Sequence, residues 1–348
     1  MVYSARHRTS PSEIGMRLAF VASLVGILLF ALDALGADAQ AARRLYFPMI
    51  TRDSTPTPVP TPTPSVVRIR YQAHVQDEGW KDWQENNNIA GTEDDGKRLE
   101  AFRIEPLTGP SGITVRYRAH VGGIGWQDWK RNGEIAGTVG EQRTIEAIQI
   151  VLDNSSGSNY LSYEVRSEGW GWLGAVRDSW FAGTTGQARK VTAFRAYIRT
   201  DRHEPARVKI AYNVYVQDRG YLGWKRNGEE NGTTGETLRL EAVKVLLYNR
   251  PESMDLEVRS NVEGEWQVWL GNGAESGTTA QSKRIVALEM RLVNPYNGTV
   301  LSYGGHFQDR GWLEYASDNP SRNNPILGNP SDMLRLESLR AGLGNAID

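Results

Sequence analysis

The chain has 348 residues, a formal net charge of −1, 11 Trp, 36 Gly and no Cys. A near-neutral balance without a long run of one sign excludes the electrostatic footprint of a nucleic-acid binder. The lack of Cys excludes a disulfide framework and thiolate metal sites, so a turn-rich, aromatic-cored protein must be held by packing alone.

The N-terminal segment reads as an address. Arg6, Arg8 and Arg17 precede the apolar run from Leu18 to Leu32, and Ala37-Asp38-Ala39 fits an A-x-A cleavage site. Residues 1–39 are therefore expected to be an export signal. An uncleaved membrane anchor is the competing reading, although the run is short for a span and Asp33 interrupts it. Either reading puts the rest of the chain outside the cytoplasmic membrane, secreted or attached to the cell surface. Residues 40–65 form a linker. Its TPTPVPTPTP stretch, Thr55 to Pro64, is a polyproline-type spacer, preceded by a short basic and apolar patch from Arg43 to Asp53.

From residue 66 onward one pattern recurs six times. It is clearest in copy two, VRYRAHVGGIGWQDWKRNGEIAGTVGEQRTIEAIQIVL, from Val115 to Leu152. A small-residue step carries a glycine in every copy: Gly91, Gly137, Gly183, Gly232, Gly277 and Gly328, spaced by 46, 46, 49, 45 and 51 residues. Nine residues after each comes Glu100, Glu146, Thr192, Glu241, Val286 or Glu337. An interval kept in all copies marks one structural unit, because an insertion there would shift strand register.

Copy one shows the element type. Val67, Ile69, Tyr71 and Ala73 alternate with Arg68, Arg70, Gln72 and His74, which is the period of a half-buried strand. Each copy offers three strands, with room for a fourth. The only helix-like patterns are the N-terminal segment and the last dozen residues. Asn132-Gly133, Asn227-Gly228 and Asn272-Gly273 are hairpin-turn pairs, since both residue types tolerate positive φ. The step glycines are read as allowing an unusual backbone angle or a close approach of chains.

The fold class is thus all-β, from six repeats of about 46 residues. A charged, proline-containing stretch from Thr200 to Arg207 divides them into two domains, 66–204 and 205–348. Three copies would close into a pseudo-threefold body, a β-prism or β-trefoil. A six-bladed propeller is the alternative, set lower because blades usually have four strands.

The order YRAHV, GWQDW, NGEIAGT and IEAI resembles the ChW repeats, the "clostridial hydrophobic, conserved Trp" units of bacterial extracellular proteins. The resemblance extends over all six copies. It is strong in copies one, two and four and weaker in three, five and six. It implies a secreted or surface-attached protein whose repeats bind something, with adhesion and polysaccharide recognition the usual suggestions. It brings no agreed catalytic residue or ligand.

Aromatic residues are the most informative candidates. Trp80/Trp83, Trp126/Trp129, Tyr221/Trp224, Trp266/Trp269 and Trp312/Tyr315 are pairs at i and i+3, with Trp172 and Trp180 in displaced positions in copy three. In a regular strand this odd spacing puts the two rings on opposite faces. The first rings, Trp80, Trp126, Trp170, Trp266 and Trp312, are assigned to the repeat structure. The second set, Trp83, Trp129, Trp224 and Trp269, is the candidate ligand surface, where an indole can stack on a sugar. The competing reading is a bulge that brings both rings inside.

His74, His120 and His306 recur at one position. Separate copies hold them apart, so a half-exposed strand histidine is expected, not a metal ligand. Glu100, Glu146, Glu241 and Glu337 recur one per copy and suggest a structural role, because a glycosidase needs two carboxylates across one cleft. Neither a catalytic motif nor a cofactor-binding loop is present. The sequons at Asn154, Asn231 and Asn297 are given no role. The reading is a non-enzymatic, multivalent binder of extracellular or cell-surface glycan, without cofactor. The alternative is a structural or protein-binding surface component with every Trp in the core.

Overall fold

Alternation decides the long strands. In copy one, Arg68–Val75 turns Ile69, Tyr71, Ala73 and Val75 inward, each at most 3% exposed, and Arg70, Gln72 and His74 outward. The computed structural model describes residues 66–155, 159–200, 207–317 and 326–345. The proposed export signal and the proline-rich linker lie outside them. The described chain is all-β, built from antiparallel sheets, none closed into a barrel, with two 3-10 turns at Tyr296–Gly298 and Pro330–Asp332. The helix-like pattern at the C-terminus is overturned: Leu336–Asn345 is a strand paired antiparallel with Thr299–Phe307, and Leu336, Leu339 and Ala341 are buried.

Each copy contributes one antiparallel pair of long strands. The six pairs are Arg68–Val75 with Leu99–Thr108, Thr114–Val121 with Ile145–Asp153, and Tyr160–Ser167 with Val191–Arg199. The second set is Lys209–Val216 with Leu240–Tyr248, Asp255–Val262 with Ile285–Val293, and Thr299–Phe307 with Leu336–Asn345. The aromatic segment between them folds back onto the first strand. The step segment leaves its own sheet altogether.

That departure organises the protein. Ala136–Gly137 of copy two pairs with Ala101–Phe102 of copy one, Phe181–Gly183 of copy three with copy two, and Ala90–Gly91 of copy one with copy three. Copies one to three thereby complete one another in a cycle. Copies four to six form a second cycle: copy five completes copy four, six completes five, and four completes six. The Asn-Gly turns serve this exchange instead of closing hairpins. Asn132 (φ 36°) and Gly133 (φ 94°) form a tight turn that passes the chain to the neighbouring sheet, where the Gly133 N–H donates to the Ile104 carbonyl at 2.7 Å.

The six step glycines have φ between +87° and +140°. A Cβ there would lie 2.3–2.6 Å from a backbone carbonyl oxygen of the neighbouring copy. Only glycine fits that contact. The nine-residue interval has its cause at the same place. The residue at its end is the extra residue of a β-bulge, where register shifts in every sheet. The bulge carbonyl accepts the N–H of the threonine after the incoming glycine, at 2.7–3.1 Å in five junctions.

Inside the first cycle, Phe102 meets Phe194 and Tyr117 at 5.3 Å each, and Tyr71 meets Phe194 at 5.1 Å. The Tyr71 and Tyr117 hydroxyls donate to the carbonyls of Asn88 and Glu134, both at 2.6 Å. Burial pushes both phenols up to about 12, so they remain donors at any ordinary pH. The described residues from 66 onward belong to one compact unit. Copy three joins the second cycle through Trp170 against Tyr248 (5.3 Å) and Trp224 (6.1 Å), and through Asn249, whose amide donates to the carbonyls of Leu173 and Gly174.

We expect Gly137→Ala to cost on the order of 3 kcal/mol, because strain and a backbone clash add. Gly140→Ala has positive φ but open space around it, and we expect it to cost about 1 kcal/mol. Urea titration of the two variants checks the contrast. A second expectation concerns Asp178, which accepts the Leu152 N–H just as Asn272 accepts that of Leu247 in copy five. Burial pushes its carboxyl up to about 6. Stability from the neutral acid is fully present below about pH 4 and is lost as pH rises through 6. Asp178→Asn should therefore stabilise by roughly 2 kcal/mol at pH 7 and by little at pH 4, read from melting temperature against pH.

Candidate functional site

The outer faces of the sheets carry the candidate site. Because the long strands pair in the same register in every copy, three cross-strand positions repeat. The rung nearest the bulge pairs His74 with Ala101, His120 with Ala147 and His306 with Ser338. The first ring of the aromatic pair packs edge-on there: His74 with Trp80 and His120 with Trp126 at 5.3 Å, His306 with Trp312 at 5.8 Å. Tyr215 and Tyr221 repeat the arrangement in copy four at 5.3 Å. Copy three corrects the assignment of Trp170: Trp172 stands opposite Arg166 at this position, while Trp170 lies at the junction with the second cycle.

The next rung holds one cation in all six copies, from either strand. Its members are Gln72·Arg103, Arg118·Gln149, Glu164·Arg195, Asn213·Lys244, Arg259·Glu289 and Gly304·Arg340. Each cation lies over an aromatic ring of its own copy. Arg103 is 4.7 Å from Trp80 and 4.9 Å from Trp83. Arg118 is 4.7 and 4.6 Å from Trp126 and Trp129, and Arg259 is 4.7 and 4.6 Å from Trp266 and Trp269. A second arginine on the far side makes an alternating series: Arg70 over Trp83, Arg116 over Trp129 and Arg291 over Trp269, at 4.1–5.1 Å.

Two rings sharing one guanidinium lie on the same face, which overturns the expected opposite orientation. Trp80 pairs with His74 and Gln84 with Tyr71, so four residue steps oppose three. The extra residue converts the odd spacing to an even one. Neither ring enters the core. Ten of the eleven Trp are half-buried, and Trp180 alone is buried, at 4% exposure. The inner faces are already filled by Tyr, Phe and aliphatic side chains.

The four candidate rings divide. Trp83, Trp129 and Trp269 stand in the alternating series on three separate sheets. Trp224 faces Trp170 across the junction between the cycles and packs against the core. Copy four keeps Tyr215 and Tyr221 on its outer face, with Lys244 over the Tyr221 ring at 4.5 Å. The side chain of Tyr315 lies outside the described residues.

Behind the aromatic rung is a polar cluster. Glu100, Glu146, Glu241 and Glu337 are buried at 3–5% exposure. His74, His120 and His306 Nδ1 stand 3.3, 3.0 and 2.9 Å from the carboxylates of Glu100, Glu146 and Glu337. Arg98, Arg239 and Arg335 pair with Glu100, Glu241 and Glu337 at 2.7–2.8 Å. Burial alone would push the Glu146 carboxyl up. The His120 bond and the N–H groups of Gly186 and Ala188 outweigh it and hold the group below the usual range. The cluster braces the bulge and the histidine, and no group of three acidic or histidine side chains suited to a metal occurs among the described residues.

The ChW family model, clostridial hydrophobic W, matches residues 74–106, 120–154, 215–249 and 264–294. These four segments are ChW repeats. They fall in copies one, two, four and five; the first three begin at the rung beside the first aromatic ring and the fourth at Gly264, and all four extend into the second long strand. No curated protein and no solved structure matches the chain.

Sequence reasoning missed the cation of the middle rung. Its signal was present as a charged residue on the polar face of every copy, but it moves between strands and so does not align. We expect Arg118→Ala to cost about 1 kcal/mol and to shift the Trp126 and Trp129 resonances toward exposed positions, read by fluorine NMR of fluorotryptophan-labelled protein.

Proposed function

We propose that the ChW-repeat chain is an exported, non-enzymatic binding protein that recognises extracellular or cell-surface glycan at several weak sites. In this reading residues 1–39 direct export or anchor the chain, and the proline-rich linker carries two tandem domains of three copies that pack together into one compact unit. Each domain is pseudo-threefold, in the manner of a β-prism or β-trefoil. The cyclic exchange of step segments within copies one to three and four to six supports that division.

The observation that carries the reading is the placement of the tryptophans. A large apolar ring gains most from full burial, yet eight of eleven are held half-buried on outer faces, Trp170 and Trp224 being half-buried at the junction and Trp180 buried. Arginines fix their orientation, so a sugar ring would meet ring edges already ordered, beside guanidinium and carboxylate groups able to bond its hydroxyls. Repetition favours avidity over one deep pocket.

The second reading is a structural or protein-binding surface component, in which the Trp-Arg faces meet another protein. Aromatic and Arg side chains also dominate protein interfaces. Glycan-array binding separates the two. Trp129→Ala should lower glycan binding several-fold with the fold intact, and joint replacement of Trp83, Trp129 and Trp269 by Ala should abolish it. A wild-type chain that binds no glycan but retains a protein partner would establish the second reading instead.

A further inference from the structure

Copy six departs from its siblings on the outer face. In copies one, two, three and five the middle-rung arginine bonds the side chain opposite: Arg103 to Gln72, Arg118 to Gln149, Arg195 to Glu164, and Arg259 to Glu289, at 2.6–2.8 Å. Lys244 of copy four pairs with Glu275 at 3.5 Å. In copy six the residue opposite is Gly304, and Arg340 has no carboxylate or other polar partner among the described residues. It lies 3.6 Å over the Trp312 ring, the shortest such stacking in the molecule's described part.

The rung beyond is stripped as well. Arg70·Glu105 in copy one and Glu257·Arg291 in copy five are charged pairs, while the same rung in copy six is Ser302·Gly342. A cavity of about 220 Å³ results, lined by Trp312, Arg340, Ser302, Gly304, Gly342 and, from copy four, Gly228. A Cβ on Gly342 would meet nothing within 4 Å. The nearby turn carboxylates Glu229 and Glu230 are exposed and form no ion pair with Arg340.

An indole wall, a glycine floor, one hydroxyl and an uncompensated guanidinium make a specific demand on a ligand. It must be compact, present an apolar face to Trp312, and carry a negative group for the arginine fork. A neutral sugar can bond the guanidinium through its hydroxyls but leaves the charge uncompensated, and an inorganic anion leaves the indole wall uncovered. We propose that copy six is a subsite for an acidic sugar residue, its charge a carboxylate or a sulfate, bound by Arg340 and stacked on Trp312. The inference rests on the glycan reading above and names the copy and ligand class within it.

Calorimetric titration of the whole chain with a uronic-acid oligosaccharide, a sulfated oligosaccharide and a neutral oligosaccharide tests it. The wild type should bind at least one acidic probe about tenfold or more tightly than the neutral one, and the better acidic probe identifies the anion. Arg340→Gln should remove that preference. Gly342→Glu should remove acidic-sugar binding altogether, because the new carboxylate fills the cavity and pairs with Arg340, and its circular dichroism should match wild type. Equal binding of acidic and neutral probes, or unchanged binding by both variants, overturns the inference and leaves the glycan reading standing if Trp129→Ala weakens binding. Failure of every saccharide to bind overturns both.

Discussion

The contact on which the rest depends is the one between a step glycine and the backbone of the neighbouring copy. At Gly137 the incoming chain lies so near Glu100 and Ala101 that no side chain can stand between them, and the Thr138 N–H then reaches the Glu100 carbonyl at 2.7 Å. That bond forms only because a bulge turns the carbonyl outward. The bulge in turn keeps Glu100 buried beside His74, which fixes the rung on which Trp80 packs. Strand exchange, buried carboxylate and surface aromatic are therefore successive consequences of one close approach. A single copy cannot satisfy it alone, since its sheet lacks the final strand and its step segment lacks a sheet.

The division of labour between the two sheet faces follows. Inward positions take tyrosine, phenylalanine and aliphatic residues. The buried tyrosines reach the turn carbonyls of the exchanged segment, so the core itself holds the chain crossing in place. Outward positions are left to long charged side chains and the half-buried indoles. Arginine suits this face because its guanidinium stays charged, is weakly hydrated and stacks flat on an indole. Lysine does the same work in copy four with a tyrosine, a smaller ring and a point charge.

Much of this was legible in the residues. Alternation along Arg68–Val75 placed the inward and outward sets, and six glycines with a fixed interval to the bulge residue marked one repeated unit. What the chain order concealed was which sheet each short segment joins. Asn132-Gly133 reads locally as a hairpin turn, and locally it is a tight turn; nothing within ten residues reveals that its two arms pair with different copies. The i, i+3 tryptophans misled for a related reason. A single extra residue between Trp80 and Gln84 restores even parity, and periodicity arguments assume no such residue. Trp170 misled because copy three spends that ring on the junction and moves Trp172 into the repeated place.

The departures from the repeat carry the functional information. Where a copy keeps the full series, as in one, two and five, each cation has an aromatic and a polar partner, and the outer face is satisfied within itself. Such a face can meet a ligand only over its exposed ring edges and charged rim. Copy three gives up part of its outer face to join the two cycles. Copy six loses the side chains that answer Arg340 while keeping Trp312, His306 and Glu337 in their repeated geometry. Loss of the scaffold would have removed the buried pair first, for an unpaired buried carboxylate costs more than a surface stack. Retention of the buried pair together with removal of the surface partners leaves a braced frame around a cation that has no polar partner among the described residues, and a cation so held is the physical requirement for binding an anion.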